Sequence, residues 1–225
     1  RFGWTPATSV YASAGISTRE PTRSDMFLGE DNPSIAHDLE VFRPERLFNV
    51  EAGIDHRARS FTVAANLYAM EFRNEIAATG ELSEIGLPLR RNVARSSRRG
   101  LEVDAAWELT PSIRLRSIGN LSTNRIREWT QFYDVYDEAG EWMDSRPVVY
   151  RDVEPLLSPS VIVSQGVEYT PSSSWNAGVI GRYVGRAYLD NTNDLETPAF
   201  FSADANASVA LGRTVRLTLQ ANNLF

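Results

Sequence analysis

An all-β chain with strands long enough to cross a bilayer is what this sequence predicts, and three observations carry it. Apolar and polar residues alternate with a period of two through almost every segment, the pattern of strands with two unlike faces. The strands so marked run about 10 to 15 residues, against roughly 5–6 in globular sheets and about 9–11 for a tilted membrane-crossing strand. Short and long connections between them take turns without exception.

Nine strands are read, near 8–18, 46–56, 61–73, 90–108, 112–124, 156–169, 174–187, 199–210 and 213–223. In the fourth, Leu101, Val103, Ala105 and Trp107 oppose Glu102 and Asp104. In the sixth, Val161, Val163, Val167 and Tyr169 alternate with Ser160, Ser164, Gly166 and Glu168, and only Gln165 interrupts the apolar set. The seventh sets Trp175, Ala177, Val179, Gly181 and Tyr183 against Asn176, Gly178, Ile180 and Arg182. The last sets Val215, Leu217, Leu219 and Ala221 against Thr214, Arg216, Thr218, Gln220 and Asn222. No apolar stripe of period 3.6 rivals this.

Connections near 57–60, 109–112, 170–174 and 210–213 are tight, and those near 19–45, 74–89, 125–155 and 188–198 are long. Outer-membrane hairpin barrels are built this way, with short periplasmic turns and long extracellular loops. The chain is therefore read as a segment of an antiparallel transmembrane β-barrel. Its slender apolar alternate would face lipid, and its Arg-, Glu-, Asp- and Asn-rich alternate would face a watery lumen. Trp107, Tyr169 and Trp175 sit on the apolar alternate beside tight turns, where an interfacial aromatic girdle belongs.

Composition removes several functional classes. No run of roughly 18 apolar residues exists, so no membrane-crossing helix is possible. The start, RFGWTPATSV, has no basic segment followed by an apolar core, so no signal peptide is expected in it. Without cysteine there is no disulfide framework or thiolate metal site. A net charge of -6 argues against nucleic acid.

Catalysis and metal binding are equally poorly supported. Glu102 with Asp104, and Glu51 with Asp55, share faces, but paired carboxylates on a lumen wall are expected to be solvated or paired with Arg114, Arg116, Arg182 or Arg216. His37 and His56 are isolated, and no nucleophile elbow or phosphate loop occurs. Asp190-x-Thr-x-Asp194 has some calcium-loop character but lacks the glycine and the late glutamate. No cofactor, metal site or catalytic residue is assigned.

Two segments invite a binding role. In the loop 125–155, Trp129, Phe132, Tyr133, Tyr136 and Trp142 are interleaved with Asp134, Asp137, Glu138, Glu141 and Asp144. Exposed aromatics suit recognition of planar or amphipathic ligands, although packing among themselves would serve the loop's shape equally. Arg90, Arg91, Arg95, Arg98 and Arg99 form the one basic run. Parity places Arg91, Arg95 and Arg99 on the lipid side, near the outer edge of a roughly 25 Å apolar band, at the height of lipopolysaccharide phosphates.

Several segments resemble TonB-dependent receptors. Tyr11-Ala12-Ser13 leads into Arg19-Glu20-Pro21-Thr22, similar to that family's strand-end "REPT/RAPT" segment, and Ser24 to Phe27 matches the turn after it. Arg43-Pro44-Glu45, with Phe42 in the leucine position, resembles the family's "L-x-P-E". Asn66 to Ile76, Asn92 to Glu102, Gly181 to Asp190 and the closing Asn223-Leu224-Phe225 resemble later strands, in the family's order.

The resemblance implies a barrel of 22 strands around a plug, energised by a TonB-type coupling protein that spans the periplasm. It implies a receptor in a Gram-negative outer membrane that imports a scarce ligand, above all a ferric siderophore or other metal chelate. On this reading residues 1–225 are one barrel-domain fragment, truncated at both ends and without the plug. A passive porin-type channel and, less favoured, a soluble carbohydrate-binding β-domain are the alternatives.

Overall fold

The computed structural model describes residues 2–26, 42–82 and 86–225. Phe27 and His37, named above, lie outside these residues. Ten strands form one antiparallel path: β1 (Phe2–Thr5), β2 (Thr8–Arg19), β3 (Glu45–Arg57), β4 (Phe61–Leu82), β5 (Pro88–Thr110), β6 (Ile113–Tyr136), then β8 (Val161–Ser172), β9 (Trp175–Val184), β12 (Phe200–Leu211) and β13 (Val215–Ala221). An eleventh, β7 (Trp142–Val153), pairs with the upper part of β6. A separate ribbon joins β10 (Ala187–Tyr188) to β11 (Glu196–Thr197), and α1 (Arg23–Met26) is a single helical turn.

The nine expected strands are all present, and the structure corrects their extents. A short β1 precedes them, paired with β2 through Phe2↔Val10 and Gly3↔Ser9. The segments 74–89 and 125–155, read as loops, are largely strand: β4 runs to Leu82, β5 starts at Pro88, and β6 with β7 makes a tall hairpin. The segments 156–160 and 185–186, by contrast, are not strand.

Curvature separates the two faces. Tyr11 of β2, Asn66 of β4, Glu102 of β5, Asn120 of β6, Ser164 of β8 and Arg182 of β9 line one concavity of about 400 Å³, so the sheet curls around the polar alternate. The convex face carries the apolar alternate on every strand in register, for example Val50↔Ala69, Leu67↔Leu101↔Leu121, Val163↔Tyr183 and Val209↔Leu217. These side chains have nothing over them, as expected of a surface whose solvent is lipid: Leu67 is 60% exposed and Leu219 72%. The concave face is not wholly polar, since Ile118 and Ile162 line it too.

The backbone ladder satisfies donors and acceptors along the strands, which a bilayer would demand. At the short-turn edge a hydroxyl takes over. Thr5 Oγ1 accepts from the Ala7 amide (3.2 Å), Thr110 Oγ1 from Ser112 (3.2 Å) and Ile113 (3.0 Å), and Ser172 Oγ from Ser174 (3.2 Å). Just inside these turns Phe61 and Trp107 are cross-strand partners, and Tyr169 meets Trp175 edge to face at 5.3 Å. On the concave face the Tyr11 and Tyr68 rings lie over Gly53 and Gly100, where any Cβ would collide with them.

The face assignment predicts unequal effects for neighbouring substitutions. In the protein reconstituted in bilayers, Val163→Arg should destabilise by roughly 2–4 kcal/mol, and Ser164→Arg, one residue on, by much less. Unfolding titrations that give equal or reversed costs would show that the two faces are wrongly assigned.

Candidate functional site

The edge opposite the short turns holds the candidate binding apparatus. Here strict alternation fails at one level across four strands. Val93 and Ser96 of β5, and Ile126 and Trp129 of β6, are buried, while the two residues between each pair are exposed. Asn74 of β4 and Asp152 of β7 lie at the same level with φ of 52° and 54°. Asparagine and aspartate tolerate this left-handed conformation better than other non-glycine residues. Beyond it the pleat changes side, so that Glu75 reaches Ser96 Oγ and Arg98 (2.5 Å) on the concave face.

This slip relocates two residues expected at functional surfaces. Trp129 is 2% exposed and packs with Val93, Ile126 and Val153, its Nε1–H donating to Gln131 Oε1 at 3.1 Å. It therefore anchors the tall hairpin and does not offer its ring to a ligand. Arg91, expected on the convex face beside Arg95 and Arg99, turns away from them. Its guanidinium lies 5.5 Å from the Trp129 ring centroid and 5.2 Å from that of Phe132, and it donates to the Thr130 carbonyl. Arg95 and Arg99 keep their convex positions, Arg99 paired with Glu71 at 2.6 Å.

The other four aromatics stand above this anchor on the β6–β7 hairpin. Phe132, Tyr133, Tyr136 and Trp142 are 44–60% exposed. Tyr136 and Trp142 are cross-strand partners next to the tip, and Trp142 Nε1–H donates to Asp134. Asp137 closes the tip by accepting from the Ala139 and Glu141 amides, and Gly140 supplies the positive φ. The Tyr133 and Tyr150 hydroxyls meet at 2.8 Å, and this hydrogen bond pushes the Tyr150 pKa up to about 12.

A second excursion, 185–199, packs against this hairpin's base. Asn191, 2% exposed, accepts from the Leu156 amide (3.0 Å) and donates to the Ala78 carbonyl (2.8 Å). Asn193 bonds the amide and carbonyl of Glu154. Asp190 accepts from the Asp194 and Leu195 amides, so its carboxylate closes a turn. Both Asp190 oxygens thus serve the turn that the Asp190–Asp194 spacing forms.

Residues singled out by their motif spacing fasten the edge together. Thr22 and Asp25 cap α1 reciprocally: the Thr22 amide donates to Asp25 Oδ2 (2.8 Å), and the Asp25 amide donates to Thr22 Oγ1 (3.3 Å). Burial raises the Asp25 pKa, but the Thr22 hydrogen bonds and Arg90 (3.1 Å) outweigh it and hold the carboxyl below its ordinary value. Glu45 accepts from the Ile76 amide (2.9 Å) and faces Arg19 at 3.6 Å. Asn92 joins the Arg43 amide and carbonyl to the Asn74 carbonyl.

The concave wall below is a hydrogen-bonded polar surface. Tyr11 Oη–H donates to Asn66 Oδ1 across β3 (3.0 Å), Asn66 and Asn120 approach Glu102 at 3.4 and 3.5 Å, and Arg116 pairs with Asp104 at 3.1 Å. Glu102 has amides as neighbours and Asp104 an arginine.

A family model described as "TonB dependent receptor-like, beta-barrel" matches residues 1–224. The "Ferrioxamine receptor" of Yersinia enterocolitica is 24% identical over 184 residues, covering 80% of this chain and 23% of that protein. The structure resembles the siderophore receptor PiuA of Acinetobacter baumannii (TM-score 0.72, 19% identity, covering 99% of this chain and 30% of that one). It also resembles the copper transporter OprC (TM-score 0.70, 17% identity, 98% and 31%). The chain thus spans about a quarter to a third of the length of these proteins.

Two outcomes test the anchoring scheme. Trp129→Ala should destabilise by about 3–5 kcal/mol and open the hairpin tip to protease, whereas exposed Trp142→Ala should change stability by about 0.5 kcal/mol at most. The Asp25 contribution, with a depressed folded pKa, is complete above the unfolded value of about 3.9 and is lost as pH falls through the folded value. Amide exchange at Asp25 and Met26, corrected for intrinsic rate, should therefore be protected at pH 5 and unprotected well below pH 4. Protection that is flat across this window would remove the carboxylate from the cap.

Proposed function

The chain belongs to the TonB dependent receptor-like β-barrel family, and from that premise we propose that it forms the wall of an outer-membrane receptor importing a ferric siderophore or another metal chelate. The observation that carries this reading is the family match over residues 1–224. The relative and structural neighbours are named for ferrioxamine, for siderophores and for copper, all cargoes of the metal or metal-chelate class. The convex apolar face fits lipid, and the concave polar wall fits a watery passage. A receptor of this kind works with a TonB-type coupling protein through a plug, and no residue here is assigned to that contact.

On this reading the short turns face the periplasm of a Gram-negative cell, and the tall hairpins reach outward to capture ligand. Phe132, Tyr133, Tyr136 and Trp142 are the proposed capture residues. They give large rigid contact area at small entropic cost, on a hairpin held by Trp129.

An epitope inserted between Ala139 and Gly140 of the full-length receptor should be detected on intact cells, since an exposed tip tolerates insertion. Detection only after permeabilisation would invert the topology. In the same background, combined Phe132→Ala, Tyr136→Ala and Trp142→Ala should weaken capture of a radio-iron-labelled siderophore from a defined panel by roughly tenfold or more. Unchanged capture by a normally assembled triple variant would reduce these aromatics to scaffolding.

A further inference from the structure

Four arginines meet on the convex face just above the apolar band. Arg46 of β3 is the cross-strand partner of Arg73 on β4, and Arg73 is the partner of Arg95 on β5. Ser96 pairs with Ile126, which brings the next residue of β6, Arg127, beside Arg95. All four line one groove of about 430 Å³ together with Ile16 and Phe48. All four are exposed, and among the described residues none of them makes an ion pair. Glu71, the acidic residue at the groove, is already engaged by Arg99 at 2.6 Å.

Like charges directly opposite each other on neighbouring strands are destabilising. Three lateral steps of such contacts, spanning roughly 14 Å at the usual strand spacing, make a costly arrangement for an unliganded wall. An anion lying across the row would reverse the sign of that cost, and guanidinium is the side chain best shaped to hold phosphate.

Height and surroundings narrow the anion. Arg73 stands twelve residues beyond Phe61, the aromatic at the short-turn edge. With about 3.3 Å per residue and a strand tilt near 40°, that is a rise of roughly 30 Å, just above an apolar band of about 25 Å. Ile16 and Phe48 continue that band into the groove. A soluble phosphate would gain nothing from this apolar side, whereas a lipid would place acyl chains along it and phosphate over the arginines.

We propose that Arg46, Arg73, Arg95 and Arg127 form a site for the phosphate groups of an outer-leaflet glycolipid, the lipid A part of lipopolysaccharide. The inference rests on the membrane reading above and adds to it a lipid site distinct from ligand capture. Arg95 was visible in the sequence as an outward-facing arginine. Its three partners come from other strands, and register alone brings them together.

The test uses the full-length receptor purified from outer membranes in detergent. Lipid A retained per protein, measured by mass spectrometry of its hydroxylated fatty acids, should fall at least fivefold in the combined variant Arg46→Gln, Arg73→Gln, Arg95→Gln, Arg127→Gln. It should stay unchanged in the concave-face control Arg116→Gln, Arg182→Gln. After delipidation, bisphosphorylated lipid A should raise the melting temperature of the wild type, dephosphorylated lipid A should do so much less, and millimolar inorganic phosphate should not replace it. The delipidated quadruple variant should be no less stable than wild type, because it has lost repulsion; if it assembles poorly, the pair Arg73→Gln and Arg95→Gln carries the comparison. Equal lipid retention in variant and control, or equal stabilisation by dephosphorylated lipid A or by inorganic phosphate, would overturn this site and leave the receptor reading intact. Absence of the wild-type protein from the outer-membrane fraction would overturn both.

Discussion

Backbone polarity governs this architecture. In hydrocarbon no water is present to bond an exposed amide or carbonyl, and each one left unsatisfied costs several kcal/mol. A sheet that crosses such a medium must carry its ladder without interruption from one interface to the other. The long registers from β2 to β12, irregular only beside the short turns and from Asn74 upward, meet that demand. Alternation then follows from the pleat, because each residue must satisfy either lipid or the interior. The glycine–tyrosine pairs on the concave wall and the hydroxyl-closed turns are local answers to the same requirement.

Where the demand ends, the rules change. Above the level of Asn74 and Asp152 the strands continue, but water on both sides no longer enforces one apolar alternate. Packing takes over, and a small core of Val93, Ile126, Trp129 and Val153 forms between hairpins. The same level carries the Glu75–Arg98 pair and the arginine row, so packing, ion pairing and a basic rim succeed the apolar face within a few residues.

This boundary also explains what could be read from the sequence. The lipid-facing strands were legible because their side chains obey a period set by the solvent, as Val163 through Tyr169 and Trp175 through Tyr183 do. The hairpins above them read as loops because their alternation slips, and the four residues of β1 carry too little pattern to mark a strand. Trp129 and Trp142 are indistinguishable by composition, yet one is buried and the other exposed; only the fold of β7 back onto β6 separates them. Parity puts Arg91 on the convex face, but the slip between Arg91 and Arg95 turns it to Trp129 and Phe132. Glu45, Asn92 and Asp25 were noticed as parts of spaced motifs, but their work as fasteners between distant segments depends on contacts across 31, 49 and 65 residues of sequence.

The slip at Asn74 and Asp152 divides the chain into two regimes of heritable change. Below it, inserting or deleting one residue within a strand would turn every following side chain of that strand to the wrong face unless a bulge absorbed the change. Above it, phase is already broken, and lengthening a hairpin leaves the wall beneath it untouched. The exposed hairpin tips can therefore vary in length and sequence while the buried anchor at Trp129 and the wall beneath it are inherited unchanged.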